Sequence, residues 1–140
     1  MKKNSKASVA LHTLAHLALH EEARTSEELA KHHDTNPVVI RKILGSLKGR
    51  GIVTSEKGHG GGWALAKEAD KITFYEVLSA LDVSLLPDQA SVKGERCLIL
   101  KNVVTTMNDV LAEAEDSLNR KLQGITIANV AEEHSRSSKR

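Results

Sequence analysis

The chain is poor in the residues that staple or fill small folds. Its single cysteine, Cys97, excludes an internal disulfide framework. Aromatic residues make up only 2% of it, so the core must be aliphatic, and part of that core is expected to be shared with a partner chain. No apolar run approaches the roughly 20 residues that span a bilayer. Met1-Lys-Lys leads into polar residues and an amphipathic helix rather than a secretory leader. No base is patterned with Cys97, and no carboxylate pair stands apart from ordinary surface charge, so an enzyme is the least supported class. Internal repeats and low-complexity segments are missing as well. These absences point to a protein of a reducing cytoplasm with no membrane association. At 140 residues and 40% hydrophobic content there is enough for one small domain and an arm.

The net charge of +2 is unevenly spread. Residues 1–66 hold ten Lys and Arg against six Asp and Glu, a net +4, whereas residues 67–140 hold ten against twelve, a net −2. The basic half suits a polyanionic partner, although the bias is modest.

That half contains the most patterned stretch, from Thr25 to Ala66. Thr25 with Glu28 three residues on is a capping box, so a helix is expected from Ser26 with Leu29 and Ala30 buried. His33-Asp34-Thr35 breaks the pattern. Asn36-Pro37 then starts a second helix: Asn caps free amides, and Pro suits the first helical position. Ile40, Ile43, Leu44 and Leu47 recur at helical spacing, while Val38, Arg41, Lys42 and Lys48 lie largely off that stripe. Gly49 and Gly51 end the helix. Residues 52–56 and 63–66 read as two short strands around a loop holding Gly58, Gly60, Gly61 and Gly62. Two short helices followed by a hairpin make a winged helix-turn-helix. The fold class is therefore mainly α with a small β-hairpin.

A helix entering the major groove must present side chains near its start that reach base edges. Val38, Arg41 and Lys42 supply them, behind the cap at Asn36. The helix starts at Ser26 and Pro37 offer amides to phosphates. Glycines such as Gly60 and Gly61 let a wing tip approach a sugar-phosphate backbone, with Lys57 and His59 adding donors. Winged helices that bind proteins instead share this pattern, so double-stranded DNA and a protein partner both stand as readings of the residues alone. A nucleotide-phosphate loop is disfavoured: the glycine run lacks a closing Lys-Ser/Thr and leads into a strand.

Leu47-Lys-Gly-Arg-Gly-Ile-Val-Thr-Ser-Glu-Lys-Gly-His-Gly-Gly-Gly-Trp-Ala-Leu-Ala66 resembles the wing signature of the Rrf2 family of bacterial transcriptional regulators. Ile72-Thr73 with the helix after it continues the resemblance. Gly124-Ile-Thr-Ile-Ala-Asn-Val130 is similar to the family's closing segment, so nearly the whole chain is covered. The resemblance implies a homodimeric, sequence-specific DNA-binding regulator, usually a repressor. It also implies that Val38 and Arg41 face bases, and that Lys57 takes the place of a wing Arg contacting phosphate or the minor groove.

The remaining chain divides around this core. Residues 1–82 are expected to form the DNA-binding domain, 83–94 a linker loop, 95–130 a dimerisation helix with a closing segment, and 131–140 a disordered basic tail. The first helix is expected over residues 7–20. It carries His12, His16 and His20 at four-residue steps on one face. Half-exposed histidines without a ligand role are the favoured reading there, and no metal is assigned. His32 and His33 reach that face only if the fold brings them. Thr73 with Glu76 is a second capping box, opening a helix through Leu81. From about Glu95 to Leu122, the residues Cys97, Leu100, Val104, Met107, Leu111, Ala114 and Leu118 alternate three and four apart, and Val103, Val110 and Leu122 widen the stripe. Such a seam asks for a partner surface, here a second copy.

Cys97 opens this helix. Iron–sulfur members of the family carry three closely spaced cysteines at that point, and some supply a carboxylate ligand where this chain has Ser8. A cluster needs several such ligands, so none is expected, and no other cofactor is. Cys97 keeps two readings: a small apolar residue at the end of the seam, or a sensing thiol whose reactivity Arg96, Lys93 and Lys101 favour.

Overall fold

The computed structural model describes residues 1–57 and 62–140. Six helices and one hairpin follow in the order α1 (Lys6–Leu19), α2 (Ser26–Ala30), α3 (Pro37–Gly49), β1 (Val53–Ser55), β2 (Trp63–Leu65), α4 (Phe74–Ala80), α5 (Leu98–Gln123) and α6 (Ile127–Ser138). A single 3-10 turn, Ala69–Lys71, stands where only a polar link is expected. β1 and β2 pair antiparallel, with Val53 opposite Leu65 and Ser55 opposite Trp63.

The helix starts follow from their caps. Ser5 Oγ accepts from the Ser8 amide, and Thr25 Oγ1 from that of Glu28. Asn36 Oδ1 accepts from both Val38 and Val39, and Thr73 Oγ1 from Glu76. At Thr25 and Thr73 the expected capping boxes are one-sided. Glu28 lies 3.8 Å from Arg24, and the Glu76 carboxylate accepts from Lys67 Nζ at 2.6 Å. The reciprocal box forms at Thr126 with Asn129. α5 begins later than Glu95, because the Glu95 carboxylate accepts the Cys97 amide and Cys97 becomes the N-cap.

The core is aliphatic, as the aromatic shortage requires. Leu14 of α1, Leu29 of α2, Ile40, Leu44 and Leu47 of α3, then Ile52, Ile72, Val77 and Ile127, are all buried. Each such side chain contributes about 1.5–3 kcal/mol relative to exposure. The last of them shows why the expected tail is wrong. Residues 131–140 are not a disordered extension: α6 runs to Ser138 and packs on α1. A backbone bridge anchors its start, with the Phe74 amide donating to Ile125 O and the Ile127 amide to Ile72 O, both 2.9 Å. Ile127 and Ala131, one turn apart, are its buried face.

The turn after α2 folds against α1 and brings histidines together. His12 and His16 have their Nε2 atoms 2.9 Å apart. The His32 ring stacks on His16 at 4.3 Å, and His33 meets His12 edge-on at 4.2 Å. His33 Nε2 also hydrogen-bonds the hydroxyl of buried Thr13 at 2.9 Å. Burial first, and the neighbouring imidazoles second, push His16 and His33 down to about 4. His12 is lowered by burial and by His32. Their folded values lie below the 6.5 of an unperturbed imidazole, so the unfolded chain binds more protons between the two. The associated stability is complete above about pH 6.5 and is lost as the pH falls toward about 4. In chelator-containing buffer, the urea midpoint is expected to drop between about pH 6.5 and pH 5, where few carboxylates titrate. His33→Asn should flatten that drop. Equal pH dependence of the two proteins would show that the cluster is not its source.

Candidate nucleic-acid interface

α3 separates its faces cleanly. Ile40, Ile43, Leu44 and Leu47 are buried against α1, α2 and β1, and Val38, Arg41 and Lys42 are left in solvent. Val38 is 53% exposed at the first turn. The free amides expected at this helix start are already taken, because Asn36 occupies those of Val38 and Val39 and Pro37 has none. Arg41 is not a free cation. Its guanidinium donates to Glu27 of α2 at 3.1 Å, with both side chains more than half exposed. An exposed pair of this kind is worth about 0–1 kcal/mol, so a bidentate acceptor such as a guanine edge, worth about 1–3 kcal/mol, can take Arg41 from it.

The wing is tied to α2 and α3 by contacts that the sequence pattern does not announce. Arg24 and Trp63 form an antiparallel bridge, with the Arg24 amide donating to Trp63 O at 3.0 Å and the Trp63 amide to Arg24 O at 2.7 Å. Trp63 Nε1 donates to Ser26 Oγ at 3.0 Å. Ser26 is buried, and its side chain belongs to this anchor. Gly62 is required by the same contact: a Cβ there would lie 2.7 Å from the Arg24 carbonyl carbon and oxygen. One member of the glycine run thus serves the fold, not a ligand. Lys48 Nζ donates to Ser55 Oγ at 2.7 Å, joining the end of α3 to β1. Lys57 is exposed at the edge of the described wing, and His59, Gly60 and Gly61 lie outside the described residues. A single Trp after a glycine run was the available signal for the anchor, since a half-buried indole N–H needs an acceptor.

The expected seam of α5 divides in two. Leu118, with Leu122, lines a groove shared with Tyr75 and Leu78 of α4, inside the chain. Val104 and Leu111 are half-buried. Leu100 and Met107 are exposed, in a bare apolar stripe with Ile99, Val103 and Val110. The structure adds Ile99 to the expected stripe and sets half-buried Leu118 beside α4.

Comparison with known proteins agrees with this architecture. The model of the Rrf2 family, described as an iron-dependent transcriptional regulator, matches residues 3–133. The chain belongs to the Rrf2 family. A putative HTH-type transcriptional regulator of Aquifex aeolicus is 33% identical to this Rrf2 chain, over 89% of it and 90% of the relative. The putative HTH-type transcriptional regulator YffB of Lactococcus lactis is 32% identical, over 95% and 88% respectively. The solved structure of T. potens IscR superposes with a TM-score of 0.73 at 20% identity, covering 98% of this chain and 90% of that one, a likeness of fold. This Rrf2 protein is a transcriptional regulator with a winged-helix fold, not an enzyme.

The family description raises iron, and the donors here do not fit an iron–sulfur cluster. Its thiolate ligands reduce to one, Cys97, which is exposed. Among the described residues no three His, Cys, Asp or Glu side chains are grouped to hold a metal ion as they stand. Among the described residues, too, no helix is long and apolar enough to cross a membrane.

Proposed function

We propose that this Rrf2 regulator is a homodimeric, sequence-specific DNA-binding repressor, with α3 in the major groove and the wing on the adjacent backbone or minor groove. The observation that carries this is the split of α3. Its apolar face is fully used by the core, and Val38, Arg41 and Lys42 stand in solvent beside a wing bolted to the same body. Exposed Lys57 is assigned to the same interface, and His59, Gly60 and Gly61 are assigned to it from the sequence alone. The basic balance of residues 1–66 supports a polyanion. Binding to random duplexes, with selection of the preferred sequence, yields the operator. On it, Arg41→Ala is expected to lose about 1–3 kcal/mol and relax base choice, and Lys57→Ala to reduce the salt slope by about one. Wild-type behaviour in both variants would remove this face from the interface. An absence of steep salt dependence would favour a protein-binding module instead.

The bare stripe of α5 supports the dimer. Five large apolar side chains from Ile99 to Val110 lie exposed on one side of a helix with no buried residue among its 26. Contiguous exposure of that kind marks a contact surface. Two copies related by a two-fold axis would present two α3 helices to half-sites about one DNA turn, or a multiple, apart. Met107, 55% exposed, tests this without touching the core. Met107→Asp should sediment as a folded monomer and bind the operator weakly. A wild-type protein that is monomeric at micromolar concentration and still binds the operator overturns the dimer.

In the same reading Cys97 senses oxidants or electrophiles. It is exposed, it caps α5 and it adjoins the foot of the stripe, so its modification alters the seam directly. Peroxide should change operator affinity in the wild type and not in Cys97→Ser. Unchanged affinity of a protein shown by mass spectrometry to be modified at Cys97 would leave the cysteine a packing role.

A further inference from the structure

Six of the seven histidines surround α1: His12 and His16 on the helix, His20 at its C-cap, His32 and His33 on the turn before α3, and His134 on α6. The seventh, His59, lies outside the described residues. We propose that His12, His16 and His32 bind one divalent transition-metal ion of the zinc or nickel class, and that this ion is an effector of the regulator. The second half of this rests on the DNA-binding reading above; the first half does not.

Residues four apart on a helix are neighbours, and here the two Nε2 atoms lie 2.9 Å from one another. At that distance the two neutral rings share one hydrogen bond. Bonds of about 2.05 Å to a common ion separate two nitrogens by about 2.9 Å at a right angle and about 3.3 Å at the tetrahedral angle. The pair therefore already stands at the spacing of adjacent ligands. With an ion between them, each ring carries its proton on Nδ1, both Nε2 lone pairs face the metal, and no proton is released. Imidazole donors favour Zn, Ni, Cu and Fe over Mg or Ca.

His32 is the third ligand by proximity and freedom. Its ring lies 4.3 Å from that of His16, with 23° between the planes. It is exposed and on a turn, where its amide donates to Leu29 O at 3.1 Å and its ring is left to stack on His16. The three donors do not converge as they stand, so rotation of the His32 side chain is the change the ion requires. His33 is a wall rather than a ligand, because its Nε2 is engaged by Thr13. His20 is farther from His16, at 6.4 Å, and with His134 it lines the rim of an open groove of about 620 Å³ between α1 and α6. Water completes the coordination from that side.

The position gives the ion its leverage. The turn that holds His32 ends at Asn36, the cap of α3. An ion joining His32 to α1 fixes the path of the chain into α3, and so the pose of Val38 and Arg41.

The test uses the full chain after chelator treatment. Calorimetric titration with Zn(II) should show about one site per chain, and Co(II) should give a visible d–d band from nitrogen ligation. His12→Gln, His16→Gln and His32→Gln should each weaken Zn(II) binding by at least about tenfold, on the scale of perturbed metal sites. His20→Gln should leave it unchanged. Circular dichroism establishes that each variant is folded, and His12, at an exposed position, reports even if His16→Gln unfolds. Wild-type uptake no greater than that of the His12→Gln/His16→Gln double variant overturns the site. Full affinity in His32→Gln overturns the tie to the turn. Anisotropy on the selected operator then reads the effector role. A tenfold or greater change in affinity with Zn(II), lost in the double variant, is expected, and equal affinity with and without the ion overturns that role. Tight Zn(II) binding by a protein with no preferred DNA sequence would sink the DNA reading and leave the site standing.

Discussion

The winged half of this protein depends on a two-residue backbone bridge. Arg24 and Trp63 exchange amide and carbonyl bonds, and the Trp63 indole reaches back to Ser26. These contacts fall on the residues that lead into and begin α2, so the base of the hairpin and the start of the first short helix are one body. A five-residue helix is too short to be stable by itself. It persists because the bridge holds its entry and because Leu29 and Ala30 close on α3. Gly62 shows how close the fit is, since no side chain has room beside the Arg24 carbonyl. Lys48 and Ser55 fasten the other side. The exposed face of α3 is therefore presented by a rigid frame.

α5 obeys a different logic. Its C-terminal part, at Leu118 and Leu122, is half-buried along a groove it shares with α4 of the same chain, while its N-terminal part projects with apolar side chains in water. Those side chains are not surplus hydrophobicity scattered over a surface. They recur at Ile99, Val103, Met107 and Val110, three and four apart, the spacing of a helix face that packs on another helix. The low aromatic content agrees with this division, because a 140-residue chain with one Trp, one Tyr and one Phe has few large groups with which to cover such a helix internally.

Much of this was legible in the sequence because helix starts are written locally. Thr25, Asn36, Thr73 and Thr126 each accept an amide within three residues, and each is readable from its own neighbourhood. The buried stripe of α3 and the two wing strands follow from periodicity alone. What escaped depends on residues far apart in the chain. α6 has only Ile127 and Ala131 as a buried face, too little for a sequence pattern, and is stabilised by docking on α1. Leu118 continues the heptad-like spacing of Leu111, yet α4 claims it. Arg41 looks free until α2 brings Glu27 beside it, and His32 and His33 meet α1 only once the turn is folded. The position of a partner from another element is tertiary information.

The docking of α6 on α1 has a consequence for how the molecule comes apart. The first and last helices share a surface, and the backbone bridge at Ile72 and Ile127 locks the last helix to the segment that leads into α4. Segments that share buried contacts open as cooperative units rather than in the order of the chain. The C-terminal helix is thus no fringe that frays at little cost. Releasing it uncovers one flank of α1 and takes Ile127 out of the core, so its backbone amides belong to the same opening event as those of α1. The two ends of the polypeptide, the most distant points in sequence, form a single thermodynamic unit.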